Sequence, residues 1–533
     1  MSDRPSPLER LIRNGRLSRR DLLRAAAALG LAGFAGAPAV RAQAPRTRFV
    51  GYPFALGVAS GYPTPDGMTL WTRLAPAPLA PDGGIPRDEW VTVAWQVAHD
   101  EGFARIAREG RVRAVGELAH SVRVDVDGLA PDRPWFYRFL AGDEASPVGR
   151  TRTAPAAGAA PARLRFATGS CQHFEQGYFN AWRGLVEDDP DLVVFLGDYI
   201  YESSWGDDLV RRHQGGECYT LDDYRVRHAQ YRTDPDLQRA HAAVPWLLTW
   251  DDHEVDNDPA AAESEHGDPR FLLRRAAAWQ AYWEHMPLPA RMRPRTDGSM
   301  AIHSRVDWGA LASFFVLDSR QFRDAMACPD PFKGGGSTTV DVEACAALAD
   351  PHRSLLGADQ ERWLLDGLAA STARWNLLAQ QTRFSPVDGA DAPGRQVWTD
   401  AWDGYPASRE KVMAALERPG LGNPVVLGGD IHAWEISDVR RDPWNGSPVL
   451  AAEVCGTSVS SQGWPAGHHQ AMQARNPHMH YGRSDRRGYT LLTLERDAEV
   501  RLRSPRTVKE ADDAIETLAR FVIEDGVRGI RPA

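Results

Sequence analysis

Beyond Ala25–Gly36, no segment of this sequence is apolar for long enough to cross a bilayer, and that stretch is itself too short and too rich in alanine and glycine to do so. A transmembrane anchor is therefore not expected. Positive charge is not in excess either. The formal net charge of −9 gives no basic surface for nucleic acid. Cysteine is scarce and odd in number, five in all, so at least one thiol is unpaired or otherwise engaged. Cys171 is the candidate for that odd thiol. Cys328 and Cys345 flank the glycine-rich Lys333–Ser337 and could form a disulfide in an oxidising compartment; Cys218 and Cys455 could form a second. No internal repeat is visible.

What is present begins with an address. Ser18-Arg19-Arg20-Asp21-Leu22-Leu23 precedes the weakly apolar Ala25–Gly36, and Val40-Arg41-Ala42 offers small residues for cleavage. That order is the pattern of a twin-arginine signal peptide over residues 1–42. Leu22 stands where Phe is commoner and Arg24 where Lys is. The signal implies the translocation machinery of that route as an export partner, and a periplasmic or secreted location. A route that carries folded proteins suits an enzyme whose metal must be chosen before export.

Residues 48–153 alternate apolar and polar positions in short runs, such as Val91–Val97 and His120–Val126, separated by Pro/Gly/Asp turns. A small immunoglobulin- or fibronectin-like β-sandwich is expected there. Thr153–Ala162 is a Pro/Ala/Gly linker. From 163 to about 505, buried-strand patterns alternate with helical ones (178–187, 270–284, 360–370), which predicts an α/β catalytic domain. Ala514, Leu518, Phe521 and Val522 fall at helical spacing, so residues 508–524 are expected to form an amphipathic helix within a 506–533 tail.

The chemistry gathers where apolar runs end. Leu164–Gly169 leads to Cys171, Asp191–Gly197 to Asp198 with Tyr201 three residues on, Trp246–Trp250 to Asp251-Asp252-His253, and Pro424–Gly429 to Asp430 and His432. Side chains at the C-terminal ends of sheet strands converge. The aspartates supply hard oxygens suited to calcium, magnesium, manganese or ferric iron. A phenolate at Tyr201, with a free pKa of about 10, needs a strongly acidic ion such as ferric iron. A Cys171 thiolate beside it favours a transition metal. Two unlike metals sharing a carboxylate, with Asp198 as the bridge, are expected, an arrangement that clamps the attacking and leaving oxygens of a phosphate ester. Singly, each residue has a plain alternative: Asp198 a helix cap, Cys171 a buried apolar side chain, Tyr201 packing, His253 a satisfied histidine. Their joint occurrence at four strand ends selects the metal site.

The motifs are specific. Gly197-Asp-Tyr-Ile-Tyr-Glu202 resembles the Gly-Asp-x-x-Tyr motif of purple acid phosphatases. Asp251-Asp-His-Glu254 stands in the place of the Gly-Asn-His-Glu box of calcineurin-like metallophosphoesterases, and Gly429-Asp-Ile-His432 in that of their Gly-His-x-His. Together with Gly169-Ser-Cys-Gln172, Trp250–Asn257 and Leu317-Asp-Ser-Arg-Gln-Phe-Arg323, the set is similar to the PhoD family of alkaline phosphatase/phosphodiesterases, across essentially the whole chain. The resemblance implies a metallophosphoesterase-type αββα sandwich after the β-sandwich, and an Fe3+/Ca2+ cluster. It also implies hydrolysis of phosphate esters outside the cytoplasm by a metal-bound hydroxide, releasing phosphate.

Carried over, it makes Cys171, Asp198 and Tyr201 iron ligands, with His432 or Asp430 completing that shell. Asp252, Asn257 and Asp430 become calcium ligands, with Asp251 less certain. His253 becomes the general acid. Arg320 is read as a fork for phosphate, or else as a salt bridge to Asp318 or a neighbour. Asn376, Gln380 and Gln381 lie where simpler relatives carry a metal-binding histidine, and none of them is one. The alternatives are a phospholipase D-like or teichoic-acid-type phosphodiesterase on the same fold, and an exported binding protein with structural metals.

Overall fold

The computed structural model describes residues 48–329, 335–389 and 392–533. The proposed signal over 1–42 and part of the Lys333–Ser337 loop lie outside them. Three parallel strands carry the first three motifs: Leu164–Gly169, Leu192–Phe195 and Pro245–Leu248, adjacent in a ten-stranded sheet. All are short, and the last two are buried along their whole length, as β-branched and aromatic runs covered on both faces should be. A seven-stranded sheet holds the parallel strands Ala312–Val316, Trp375–Ala379, Pro424–Gly428 and Val449–Cys455. Its Pro424–Gly428 carries the fourth motif.

One buried cluster draws on both sheets: Phe166, Val194 and Leu247 from the first, Phe314, Leu377, Leu427 and Val454 from the second. Phe166 and Phe314 meet edge to face at 5.1 Å, a favoured aromatic geometry. A second cluster joins the seven-stranded sheet, through Phe315, Leu378 and Val426, to Leu364 and Leu368 of the helix Gly357–Ala369 and to Val412 and Leu416 of the helix Pro406–Leu416. On the ten-stranded sheet, the indoles of Trp182, from the helix Asn180–Asp188, and Trp246 lie 5.1 Å apart. The expected helices at 178–187, 270–284 and 360–370 appear as Asn180–Asp188, Phe271–His285 and Gly357–Ala369.

The N-terminal region is strand-built, but its strands divide between two sheets. Trp90–Ala98, Ile106–Val115, Pro134–Ala141 and their short neighbours form a sheet of their own. Val58–Thr64, Gly67–Arg73 and Ser121–Val126 extend the ten-stranded sheet, where Val58–Thr64 runs parallel to Pro245–Leu248. Val58, Leu70 and Val122 share a core with Val93, Tyr137 and Phe139. The accessory region is thus joined to the site-bearing sheet by backbone ladder as well as by packing.

Two expectations fail. Residues 508–524 are not a helix: Ile515–Ile523 is a strand, antiparallel to Ala498–Pro505 and paired in turn with Arg531–Pro532 at the sheet edge. Phe521 and Ile523, two apart, are its buried positions. The covered positions of a half-covered strand next to the sheet edge imitate a helical stripe. The ten-stranded sheet therefore continues past residue 505. Cys218 and Cys455 do not pair either; with Cys171 they are free and buried. The Cys455 thiol donates instead to the Gly429 carbonyl at 3.3 Å.

Cys328 and Cys345 form the one disulfide among the described residues, closing a loop of 17 residues' separation beside a small cluster of Ala327, Leu348 and Val397. Closure of a loop that size is worth about 3 kcal/mol. Replacing both cysteines by serine is therefore expected to lower the unfolding free energy by about that amount, measured by denaturant titration under non-reducing conditions. An unchanged midpoint would show that the loop is held by its packing alone.

Candidate metal centre

Three of the four motifs turn sharply as their strands end. Cys171, Asp198, Asp430 and His432 all adopt the left-handed conformation, with φ of 58°, 57°, 66° and 53°. Residues with a Cβ rarely occupy that region, and such strain collects at functional sites. Gly197, at φ 110°, lets two motifs touch: a Cβ there would fall 2.4 Å from Asp251 Cβ. Gly429 does the same for a third, since its Cβ would meet Ser170 Oγ at 2.5 Å. Glu254 ties the loops together. Its buried carboxylate accepts from the backbone N–H groups of Asp198 (3.1 Å), Tyr199 (2.6 Å) and Asp251 (2.9 Å). Burial pushes its carboxyl up to about 8 against those three donors.

The structure brings the expected donors together. Cys171, Asp198 and His432 form one group, Asp198, Asp252 and His253 a second, and Asp251, Asp252 and Asp430 a third; within each group the donor atoms lie within 4.8 Å of one another. Asp198 and Asp252 are each shared, so the three groups form one continuous cluster. Tyr201 belongs to it as well. Its hydroxyl donates to Asp198 Oδ2 at 2.9 Å and lies 3.0 Å from His432 Nε2. The His432 Nδ1–H donates to the Gln462 carbonyl, which leaves the Nε2 lone pair facing the cluster. Ser461 Oγ stands 2.9 Å from the phenol oxygen while donating to the Cys171 carbonyl at 2.7 Å.

Burial dominates the electrostatics. It raises the Cys171 thiol well above its ordinary value, with Asp198 adding to the effect. Burial and then Asp252 push the Asp198 carboxyl far up; burial and then Asp198 do the same to the Tyr201 phenol. Asp430 is raised well above the carboxylate range by burial and Asp251, and Asp251 is raised to about 6 by burial despite Arg320. Burial opposes the charge on Asp252 too, but Arg320 and His253 outweigh it and hold this carboxyl low. His432 is lowered to about 3 by burial. Burial also disfavours the His253 imidazolium, yet Glu202, Asp252 and Asp198 outweigh it and hold the ring well above its usual range.

The donor set fits cations. Thiol, phenol and imidazole on one side are ligands for a Lewis-acidic transition metal, and three carboxylates on the other are ligands for a hard ion. Asp251 Oδ2 is buried and has no hydrogen-bond partner, an orphaned anionic oxygen that a cation would satisfy.

The remaining expected residues divide. His253 sits in the cluster, its ring tilted over Tyr201 at 4.3 Å and its Nδ1 2.7 Å from Glu202 Oε2. Asn257 donates its amide N–H to Glu265 at 2.9 Å. Arg320 is not open toward a phosphoryl group. Its guanidinium contacts Asp251, Asp400 (2.6 Å), Asp430 (3.4 Å) and Asp252 (3.7 Å), and only its backbone N–H reaches Asp318. The amides of Asn376, Gln380 and Gln381 are spent mainly on backbone carbonyls; Gln381 reaches Trp250 and Leu317 and so links the ends of both sheets. The sequence reading missed Glu202, Glu254, Asp400 and Ser461. Glu202 and Glu254 stood inside quoted motifs, where an acid next to a Tyr or His was a signal; Asp400 and Ser461 carried none.

This is the geometry of a metal-dependent phosphate-ester hydrolase. Residues 166–502 match the family described as PhoD-like phosphatase, and residues 39–155 its N-terminal domain. Alkaline phosphatase D of Bacillus subtilis (strain 168) is 44% identical over 499 residues, covering 91% of this chain and 83% of that protein. A solved structure described as PhoD superposes with a TM-score of 0.85 at 43% identity, covering 91% of this chain and 93% of that one. The chain belongs to the PhoD-like phosphatase family.

Because the Cys171 thiol, the Tyr201 phenol and the Asp198 and Asp430 carboxyls are raised while Asp252 is held low, a cation that takes up the raised groups must displace their protons on binding. Affinity should therefore rise with pH, by about tenfold per unit for each proton displaced. Binding titrations at pH 6 and pH 8 with proton release measured alongside check this; affinity independent of pH would contradict it.

Proposed function

We propose that this enzyme is an exported alkaline phosphatase that hydrolyses phosphate mono- and diesters at an iron(III)/calcium cluster. The observation that carries this reading is the convergence of Cys171, Tyr201 and His432 on Asp198, beside the carboxylates Asp251, Asp252 and Asp430. Cys171, Asp198, Tyr201 and His432 would hold the ferric ion; Asp198, Asp252, Asn257 and Asp430 would hold calcium. When bound, these cations supply Lewis acidity toward water and neutralise charge on the phosphoryl oxygens. We assign the two-sheet core to the αββα metallophosphoesterase arrangement and residues 48–153 to an immunoglobulin/fibronectin-like sandwich. The catalytic region starts near 163, and in this assignment it takes in the C-terminal strands. The twin-arginine pattern at 19–20 supports a periplasmic or secreted location; among the described residues no helix is long and apolar enough to cross a membrane.

The side chains divide the work. Asp198 shares its carboxylate between two ligand groups and so fixes their spacing. His253 is oriented by Glu202 at 2.7 Å from its Nδ1, and that carboxylate, with Asp252 and Asp198, outweighs burial and favours the protonated ring. It is placed to give that proton to the departing alkoxide. Glu202 orients the ring and stabilises its charge.

Two outcomes test this reading. Asp198→Asn should lose both iron and calcium by elemental analysis, together with nearly all turnover; full metal content with full turnover would refute the assignment. His253→Ala should slow hydrolysis of an alkyl phosphate by about 100-fold or more. It should spare p-nitrophenyl phosphate, whose leaving group needs no proton. Equal losses on both substrates would remove the general-acid role.

A further inference from the structure

Arg320 comes from the loop after Ala312–Val316, yet its side chain lies against three donors of one candidate ligand group. All three guanidinium nitrogens meet carboxylates: Nε meets Asp251, Nη1 meets Asp400, and Nη2 faces both Asp430 and Asp252. The side chain is 3% exposed, and a guanidinium does not give up its proton in a protein. Asp400 is held from behind by Arg323, through its carboxylate at 2.9 Å and its carbonyl at 3.1 Å. Arg323 therefore balances Asp400, and the charge of Arg320 is left for the Asp251/Asp252/Asp430 group. Three carboxylates less one fixed guanidinium leave two negative charges, with Asp251 Oδ2 the oxygen that no hydrogen bond occupies.

The neighbouring group is built differently. Cys171, Asp198 and Tyr201 ionise to three negative charges, and His432 adds a neutral donor. Among the described residues no arginine or lysine forms an ion pair with Asp198. Arg487 lies nearby, but its guanidinium hydrogen-bonds the carbonyls of His432, Ser484 and Arg486 and pairs with no carboxylate of the cluster. Among the described residues, the guanidinium that ion-pairs with carboxylates of the cluster is that of Arg320, and all of its pairs inside the cluster fall on the Asp251/Asp252/Asp430 side.

We propose that Arg320 is a positioning residue that sets the net charge of the Asp251/Asp252/Asp430 group, matching it to a divalent ion and disfavouring a trivalent one. The proposal rests on the cation-binding reading above. An ion of charge three gains more than an ion of charge two from each added negative charge nearby, so removing the guanidinium shifts the balance toward the trivalent ion. An arginine whose charge the group does not feel would produce no such shift.

The test is competition between calcium and terbium(III) on the full-length protein, read by terbium luminescence, for the wild type, Arg320→Lys and Arg320→Met. Circular dichroism reports folding. The ratio of calcium to terbium dissociation constants is expected to rise at least about tenfold in Arg320→Met and to stay near the wild-type value in Arg320→Lys. An unchanged ratio overturns the proposal. If both affinities fall together, the arginine is structural; if neither moves while inhibition by inorganic phosphate weakens, it is a phosphate clamp. Asp400→Asn supplies the opposite sign: it removes a negative charge beside the group, so the ratio should fall, and this variant decides the matter if Arg320→Met does not fold. Binding of neither ion to the wild type would overturn the cation reading and this proposal with it.

Discussion

Mutual repulsion among buried anionic donors is the constraint around which this protein is organised. Asp198, Asp251 and Asp252, a thiol and a phenol are buried together, with the partly buried Asp430 beside them, and burial together with neighbouring charge pushes most of these groups toward their neutral forms. Holding such groups a few ångströms apart requires a scaffold that cannot relax, and cations to take up the charge. The scaffold is visible in the backbone. Left-handed turns at four of the donors, the glycine contact between Gly197 and Asp251, and three N–H groups anchored on Glu254 fix the loops.

The two-sheet architecture serves the same constraint. Three strands of one sheet deliver Cys171, Asp198 and the Asp251–His253 run, while a strand of the other delivers Asp430 and His432. The site lies where the strand ends of the two sheets meet, above a core that both sheets share. Gln381, Trp250 and Glu254 stitch that edge together, so the distance between the donor groups is set by core packing as much as by the loops. The accessory strands extend the ladder behind Pro245–Leu248 and so buttress the strand that carries His253.

Much of this was legible in the sequence because strand ends announce themselves. A short apolar run broken by Gly-Asp or Asp-Asp-His reads as a strand and its chemistry at once, and the motifs at 171, 198, 252 and 430 were found that way. Contacts that depend on the partner across a gap were not legible. Nothing in Leu317-Asp-Ser-Arg320 reveals four carboxylates waiting around the guanidinium, and nothing in Thr457-Ser-Val-Ser-Ser461 marks the hydroxyl that faces Tyr201. The C-terminal segment was misread for a different reason. Ile515–Ile523 sits one strand in from the sheet edge with few covered positions, where the periods of helix and strand select overlapping residues. The free Cys218 and Cys455 show the limit of counting: their environments, not their number, keep them apart.

The account stands on Cys171 Sγ, Tyr201 Oη, His432 Nε2 and an Asp198 oxygen sharing one transition-metal ion. Anomalous diffraction collected on both sides of the iron edge, from crystals of the purified protein, tests that directly. The account predicts a single iron-specific peak within bonding distance of all four atoms. An iron peak elsewhere, or none at the four donors in an active preparation, would contradict it.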